Sequence, residues 1–212
     1  MADEAAAQIR REIVSGRFAP GQRLHEQRIA EALGVSRGPV REAFKLLKAE
    51  GLVDEQPNKG TSVIRLTAAD LGEIFEVRLA VETRAVKLIV RAHNEEDIDA
   101  LRHQAEQLIE AAATYDDARI AQADVDFHEA LCRLSRVERL RNIFRNNIIL
   151  WKSVLLIDEH LYPVIADTSD EHFDIVRAIE SGDEQNAVLT LESHLERCRE
   201  RLMSYIASND NN

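Results

Sequence analysis

Ser36-Arg37-Gly38-Pro39-Val40-Arg41-Glu42-Ala43-Phe44-Lys45-Leu46-Leu47-Lys48 reads as a helix with two distinct long faces. Ser36 stands where a cap belongs, since a serine hydroxyl can accept from an orphan backbone N–H of the first turn. Pro39 falls within that turn, where a missing N–H does little harm. Gly51 stands where the helix should stop. Val40, Ala43, Phe44 and Leu47 recur at helical spacing as an apolar stripe. Arg37, Arg41, Lys45 and Lys48 form a basic stripe, offset by about a quarter turn at about 100° per residue.

Upstream, Gln27 to Val35 holds a second short helix, with Ile29, Ala30 and Leu33 as its apolar face and Gly34 as its end. Two short helices joined through a glycine turn suggest a helix-turn-helix. In that motif the N-terminal residues of the second helix meet base edges in the major groove. Arg37 and Arg41, one turn apart, are spaced to reach guanine edges or phosphates. The alternative is a three-helix core with a solvated basic face. Further out, Ala5 to Ser15 reads as a helix with Ile9, Ile13 and Val14 on one face, and Pro20-Gly21 as a turn. Gln22-Arg23-Leu24 is a short extended piece. After Gly51, Leu52–Gln56 and Thr61–Arg65 read as two strands joined by Pro57-Asn58-Lys59-Gly60. Gly60 is expected at a backbone angle that other residues resist. Lys59 at the tip is either a phosphate or minor-groove contact or a solvated turn residue.

Charge supports this division. Residues 1–65 carry 11 Lys/Arg and 9 Asp/Glu, a net of +2, which leaves −13 for the rest of a 212-residue chain whose total is −11. A weakly basic module on an acidic body suits DNA binding with little non-specific background. No apolar run is long enough to span a membrane, and no secretory leader opens the chain. Cys132 and Cys198 are too few for a disulfide framework, so a reducing cytoplasm is the expected home.

From Thr67 onward the reading is wholly helical, with Thr67 as the first cap. Helices are expected at 68–91, 95–113, 116–134, 137–160, 163–181 and 184–207. Breaks fall at Thr114-Tyr115, Ser135-Arg136, Tyr162-Pro163 and Ser181-Gly182-Asp183. This predicts a mainly α chain: residues 1–66 as a winged helix-turn-helix with a two-stranded wing, and 67–212 as a six-helix antiparallel bundle. The polar tail Ser208–Asn212 is expected to fray.

Within the bundle, Asp124 and His128 share one helix face, four residues apart. His172 and His194 sit beside the apolar faces of two later helices, formed by Phe173, Val176 and Ile179 and by Val188, Leu191 and Leu195. One carboxylate and three imidazoles suit Zn, Ni, Fe, Mn or Co, although the Asp/His pair is a weak signal alone and a lone His beside an apolar face is usually a satisfied core or boundary residue. Asp126, His103 and His160 are read as off-face, solvated and near a helix end. Cys198, one turn from His194, is read as a buried thiol. Arg78 and Glu82 sit one turn apart on the first bundle helix and could form a solvated ion pair.

Ile13-Val14-Ser15-Gly16-Arg17-Phe18-Ala19-Pro20-Gly21-Gln22-Arg23-Leu24, Leu33-Gly34-Val35-Ser36-Arg37-Gly38-Pro39-Val40-Arg41-Glu42-Ala43 and Glu50-Gly51-Leu52-Val53 closely resemble the winged-helix domain of GntR-family bacterial transcription regulators, over roughly residues 8–65. The resemblance implies DNA contacts from Arg37 and Arg41 with Ser36, Gly38, Lys45 and the wing residues Lys59 and Gly60 alongside. Many members carry Thr where this chain has Gly38. Roughly residues 70–207 resemble the FCD effector domain of the FadR-like branch, in its shorter VanR-type form, through Asp124-x-x-x-His128, Glu171-His172 and His194. The resemblance implies that Asp124, His128, His172 and His194 ligate one divalent transition metal. It also implies that a small carboxylate effector completes the metal's coordination, that Arg78 pairs with that carboxylate, and that the chain works as a homodimeric repressor on a palindromic operator. Where many members have Gly-Asn after the Asp/His helix, this chain has Arg136-Val137-Glu138. A direct metal sensor is one rival, and a purely structural metal another. A metal-dependent hydrolase or oxidase is a third, disfavoured because the chain lacks paired Glu-x-x-His motifs and a His-Asp dipeptide and would leave a DNA-binding head unexplained.

Overall fold

The apolar stripe of the quoted helix closes the N-terminal unit. Val40, Ala43 and Leu47 lose all contact with solvent and Phe44 nearly all. They pack with Ile9 and Ile13 of α1 (Ala2–Val14), Ile29 and Ala30 of α2 (Glu26–Leu33), and Leu24, Leu52, Val53 and Val63 beyond the helices. The quoted helix itself is α3 (Arg37–Ala49). Full burial of such a side chain contributes about 1.5–3 kcal/mol, so this face sets how α3 lies on its neighbours. The basic stripe is left outside.

Gly34 ends α2 at φ 65°, a left-handed conformation that glycine adopts without a Cβ penalty. Ser36 occupies the N-cap of α3 in extended conformation, but its hydroxyl makes no capping hydrogen bond, contrary to expectation. Its backbone conformation alone starts the helix.

The computed structural model describes residues 1–14, 17–56, 60–65, 67–114, 116–157 and 169–209. Lys59 with Pro57-Asn58, the break at Tyr162-Pro163, His160, Tyr115 and the last three residues of the tail lie outside the described residues. Contacts divide the chain into two compact units, Met1–Leu66 and, apart from Leu156–Asp158, Thr67–Asn212.

The expected two-stranded wing is a three-stranded antiparallel sheet. Strands β1 (Arg23–Leu24), β2 (Val53–Gln56) and β3 (Gly60–Val63) lie in the order β1-β3-β2. Val53 faces Val63 and Gln56 faces Gly60, while Arg23 faces Ser62. The piece before α2 is recruited because Val63 N–H donates to Gln22 O at 2.9 Å and Gly21 N–H to Val63 O at 3.0 Å. Gly60 has φ 80°, as anticipated.

The second unit holds α4 (Ala68–Ala92), α5 (Glu95–Ala112), α6 (Asp117–Leu134), α7 (Glu138–Ile157), α8 (Glu171–Glu180) and α9 (Glu184–Asn209). Thr67 caps α4 in a reciprocal box with Asp70, each side chain accepting from the other's backbone N–H. Helix α6 ends at Leu134, and Arg136 takes φ 59° in the break before α7. Of the helix expected at 163–181, residues 163–168 lie outside the described residues; Ser169-Asp170 is a turn, held by bonds from His172 N to Ser169 O and Phe173 N to Asp170 O, and α8 follows it. Helix α9 continues to Asn209, past the expected fraying point. Among the described residues no helix is long and apolar enough to cross a membrane.

Helix α9 packs along α4 and α8, α6 packs on α4 and α5, and α8 touches α5 and α4. Phe75, Ala85 and Ile89 of α4, Phe127 and Leu131 of α6, Ile175 and Ile179 of α8, and Leu191 and Leu195 of α9 are all buried. These four helices therefore face one interior, and that interior contains Arg78, Glu82, Asp124, His128, His172 and His194.

Candidate functional site

Asp124, His128, His172 and His194 are all buried, and each offers a ligand atom within 4.8 Å of the others. The Nε2 of His128 lies 3.3 Å from that of His172 and 3.4 Å from that of His194. Asp124 Oδ1 lies 3.3 Å from His172 Nε2 and 3.8 Å from His128 Nε2. Phe127 stands edge-on to the His128 and His172 rings, at 5.4 and 4.7 Å between centroids, and walls that side.

The opposite edge of each imidazole explains why the Nε2 atoms meet. His128 Nδ1 is 2.6 Å from Glu82 Oε2, His172 Nδ1 is 3.2 Å from Ser169 O, and His194 Nδ1 is 2.8 Å from Glu171 Oε2. Those three oxygens can only accept, so each Nδ1 carries a hydrogen, which leaves the Nε2 side of each ring for a ligand bond. Burial disfavours the charged ring and lowers the pKa of His128, and lowers that of His194 to about 3. Burial alone would raise the Asp124 pKa, but the contacts with His172 and His128 and the nearby Arg78 outweigh it and keep the carboxyl ionised. Three Nε2 atoms and a carboxylate oxygen thus converge on one point. Four such atoms within 4.8 Å of one another, three of them imidazole nitrogens and one a carboxylate oxygen, suit a divalent transition metal. The Nδ1 contacts are the outer partners that hold metal-binding histidines in one tautomer.

Arg78 and Glu82 do not form a solvated pair. Both are buried, with Arg78 Nε 2.7 Å from Glu82 Oε1. Arg78 also lies over the Phe75 ring, 5.3 Å from its centroid. Its Nη2 is the one buried side-chain nitrogen or oxygen without a hydrogen-bond partner among the described residues. Burial would raise the Glu82 pKa, but Arg78 and His128 outweigh it and hold the carboxylate charged. The chain Arg78–Glu82–His128 therefore joins an open guanidinium nitrogen to a candidate ligand.

From sequence, Glu82 is read only as the partner of Arg78 and Glu171 only as part of the motif with His172; that these two and Ser169 aim the imidazoles comes from the fold. A signal for Glu82 exists: Leu71, Phe75, Arg78, Glu82, Ala85 and Ile89 form one buried helical stripe, so two charged residues occupy core positions. Asp126 is exposed and accepts from Gln122 Nε2, and His103 is exposed, as expected. Cys198 is buried, its thiol pushed up to about 12 chiefly by burial.

In the N-terminal unit, Arg37 and Arg41 project from the first turns of α3, each 57% exposed. Both are held by Glu26 at the start of α2. Lys45 is exposed and pairs with Glu42 at 2.8 Å. Gly38 sits in the first turn, where an added Cβ would meet only Ser36 Oγ, at 4.0 Å.

Residues 1–63 match the family model of bacterial regulatory proteins of the gntR family, and residues 73–197 match the FCD domain. The uncharacterized HTH-type transcriptional regulator YdhC of Bacillus subtilis (strain 168) is 35% identical over 140 residues, 66% of this chain and 62% of that protein, so the match spans less than two thirds of that relative. The gluconate operon transcriptional repressor of Bacillus licheniformis is 29% identical over 90% of this chain and 80% of its own. A crystal structure of a GntR transcriptional regulator from Rhodococcus sp. RHA1 superposes with a TM-score of 0.75 at 27% identity, covering 96% of this chain and 97% of that one. With a basic helix-turn-helix face in one unit and a buried ligand-type cluster in the other, the chain belongs to the GntR family of bacterial regulatory proteins with an FCD domain: a ligand-responsive, DNA-binding transcriptional regulator and not an enzyme.

Proposed function

We propose that this regulator represses transcription as a homodimer, with one winged helix-turn-helix on each half of a partly palindromic operator, and that a small organic acid held at a metal in the helical unit sets its DNA affinity. The observation that carries the reading is the convergence of four ligand atoms within 4.8 Å in the same buried interior as an unpartnered Arg78 Nη2. Asp124, His128, His172 and His194 hold the ion, of the Zn, Ni, Fe or Mn class. When bound, the ion supplies a positive Lewis-acid centre for an oxygen ligand. Arg78 gives the acid's carboxylate a charge-assisted hydrogen bond, in an interior that keeps water from competing. Glu82, Ser169 and Glu171 hold the three rings in register. Similarity to a gluconate operon repressor supports a carboxylate as the signal.

On DNA, Arg37 and Arg41 reach into the major groove, while Ser36, the backbone at Gly38, Lys45 and the wing residues Lys59 and Gly60 engage the sugar-phosphate backbone. The acid acts only if it binds one DNA-affinity state of the protein better than the other. The protein works in the cytoplasm, where its DNA is.

The test is metal content per chain of tag-free protein by elemental mass spectrometry, followed by operator binding with gluconate and other small carboxylates. About one metal per chain, and release of DNA by an acid only when metal is present, is the expected result. Release by metal alone would point to a direct metal sensor. Failure to take up metal even from excess Zn or Ni would make the four residues ordinary polar bundle positions.

A further inference from the structure

Glu26 is the first residue of α2, and one of its oxygens holds both arginines of α3. Its Oε2 lies 2.8 Å from Arg41 Nε, and 3.0 and 3.3 Å from Arg37 Nη2 and Nε. The carboxylate is 30% exposed. Burial would raise its pKa, but the bonds from Arg41 and Arg37 outweigh it and keep the group ionised.

Two features separate this contact from an ordinary surface ion pair. First, it acts on two like charges one helical turn apart, which would otherwise repel. Among the described residues neither arginine has another partner, so a single oxygen sets both heads. Second, it divides the two guanidinium groups unequally. Arg37 spends its Nε and Nη2 edge on Glu26. Arg41 spends only Nε, so its Nη1/Nη2 fork remains open, and a guanidinium edge of that kind matches guanine O6 and N7. A chain seeking only phosphate affinity would gain nothing from this, because Glu26 lowers the charge of the trio to +1 and phosphate binding scales with charges neutralised. A carboxylate here costs affinity for any duplex. What it provides is two side chains already ordered before DNA arrives, which lowers the entropic cost of binding.

We propose that Glu26 is a positioning residue for DNA reading: it aims the Arg41 fork at a guanine, steadies Arg37 beside it, and weakens binding to unrelated sequence. This rests on the reading of Arg37 and Arg41 as the DNA-facing pair.

The test compares full-length wild-type, Glu26→Gln, Glu26→Asp and Arg41→Ala proteins by fluorescence anisotropy, after circular dichroism has shown unchanged helicity. The probes are a duplex enriched from a randomised library by the wild-type protein and a scrambled duplex of the same length and composition. Glu26→Gln removes the charge. It should weaken binding to the enriched duplex and tighten binding to the scrambled one, cutting discrimination by about tenfold, the scale of one bidentate base contact. Glu26→Asp keeps the charge but shortens the reach. It should lose discrimination while leaving scrambled-duplex affinity unchanged. Parallel tightening on both duplexes with Glu26→Gln would show Glu26 to be only a repulsive charge, and full discrimination in Glu26→Asp would show that its position is irrelevant. Either result overturns the inference while leaving the DNA-facing pair intact. Wild-type discrimination in Arg41→Ala would overturn both.

Discussion

Two arginine–glutamate contacts of nearly equal length behave oppositely in this molecule. Arg41 Nε lies 2.8 Å from Glu26, with the arginine 57% exposed, whereas Arg78 Nε lies 2.7 Å from Glu82, with the two side chains 2% and 0% exposed. In water the first is worth at most about 1 kcal/mol and is screened by salt. A contact of that size biases where Arg41 points without locking it in place. The second pair has given up its hydration, so each charge depends on the other and on His128. A similar distance therefore describes an adjustable contact in one unit and an obligatory one in the other. Burial decides which, through the dielectric around the pair.

The sharpest way to break the comparison is Glu82→Gln. Removing one partner of a buried pair leaves a charge uncompensated, and the expected loss is about 3–5 kcal/mol in urea unfolding at pH 7. The amide also presents an N–H to His128 Nδ1 or to Arg78 Nε, so metal affinity should fall by about 10–100-fold. A loss of stability below about 1 kcal/mol would mean that the buried pair behaves like the exposed one.

Next in size is His172→Ala. Wild-type protein at 100-fold excess of metal over its Kd should gain about 2.7 kcal/mol, seen as a higher melting temperature with zinc than with chelator. The variant should lose most of that gain and its metal content together. Full metal retention would show that His172 is not a ligand.

A smaller effect should follow acidification of chelator-treated protein. His194 has its folded pKa lowered from 6.5 to about 3 by burial, against the pull of Glu171. Between those values the unfolded chain binds a proton that the folded chain refuses. Stability is therefore full above about pH 6.5 and declines as pH falls towards 3. Glu171, lowered from 4.5 to about 2 because the bonds from His194 and Arg197 outweigh burial, adds to the decline below 4.5. The melting temperature should be lower at pH 5 than at pH 7.5, and a flat profile would place His194 in contact with water.

The smallest expected change in stability comes from Arg41→Ala, under about 1 kcal/mol, yet operator binding should be lost. A stability cost as large as that of Glu82→Gln would erase the distinction between the two regions.

Legibility differed between the units for physical reasons. The winged-helix motif is local: the apolar stripe of Val40, Ala43, Phe44 and Leu47, the glycine stop at Gly34 and the hairpin around Gly60 each act within a few residues. Neighbour-scale patterning therefore predicted most boundaries. The third strand was missed because Arg23–Leu24 joins β3 across more than 30 residues of intervening chain, and two residues carry no periodicity. The Ser36 hydroxyl was misread because position permits a cap bond without compelling it. In the helical unit, Thr67 and the breaks after Leu134 and Glu180 were legible from caps and turn residues. The start of α8 was not, since its tight turn at Ser169-Asp170 leaves no proline or glycine.

The candidate metal cluster shows the limit most clearly. Spacing places Asp124 and His128 on one face of α6, and apolar neighbours turn His172 and His194 inward. Nothing local brings three helices to within a ligand's reach, and only resemblance to the family suggested it. Residue types and their periodicity by themselves determined a basic-faced helix-turn-helix, an acidic all-helical remainder, and which side chains could serve as ligands. The packing of α4, α6, α8 and α9 alone decided that those ligands meet, that Glu82, Ser169 and Glu171 aim their rings, and that Arg78 lies buried with a nitrogen to spare. The physical reason is that a helix's periodicity records which face is apolar, whereas the facing partner and the water excluded between them are properties of contacts far apart in sequence.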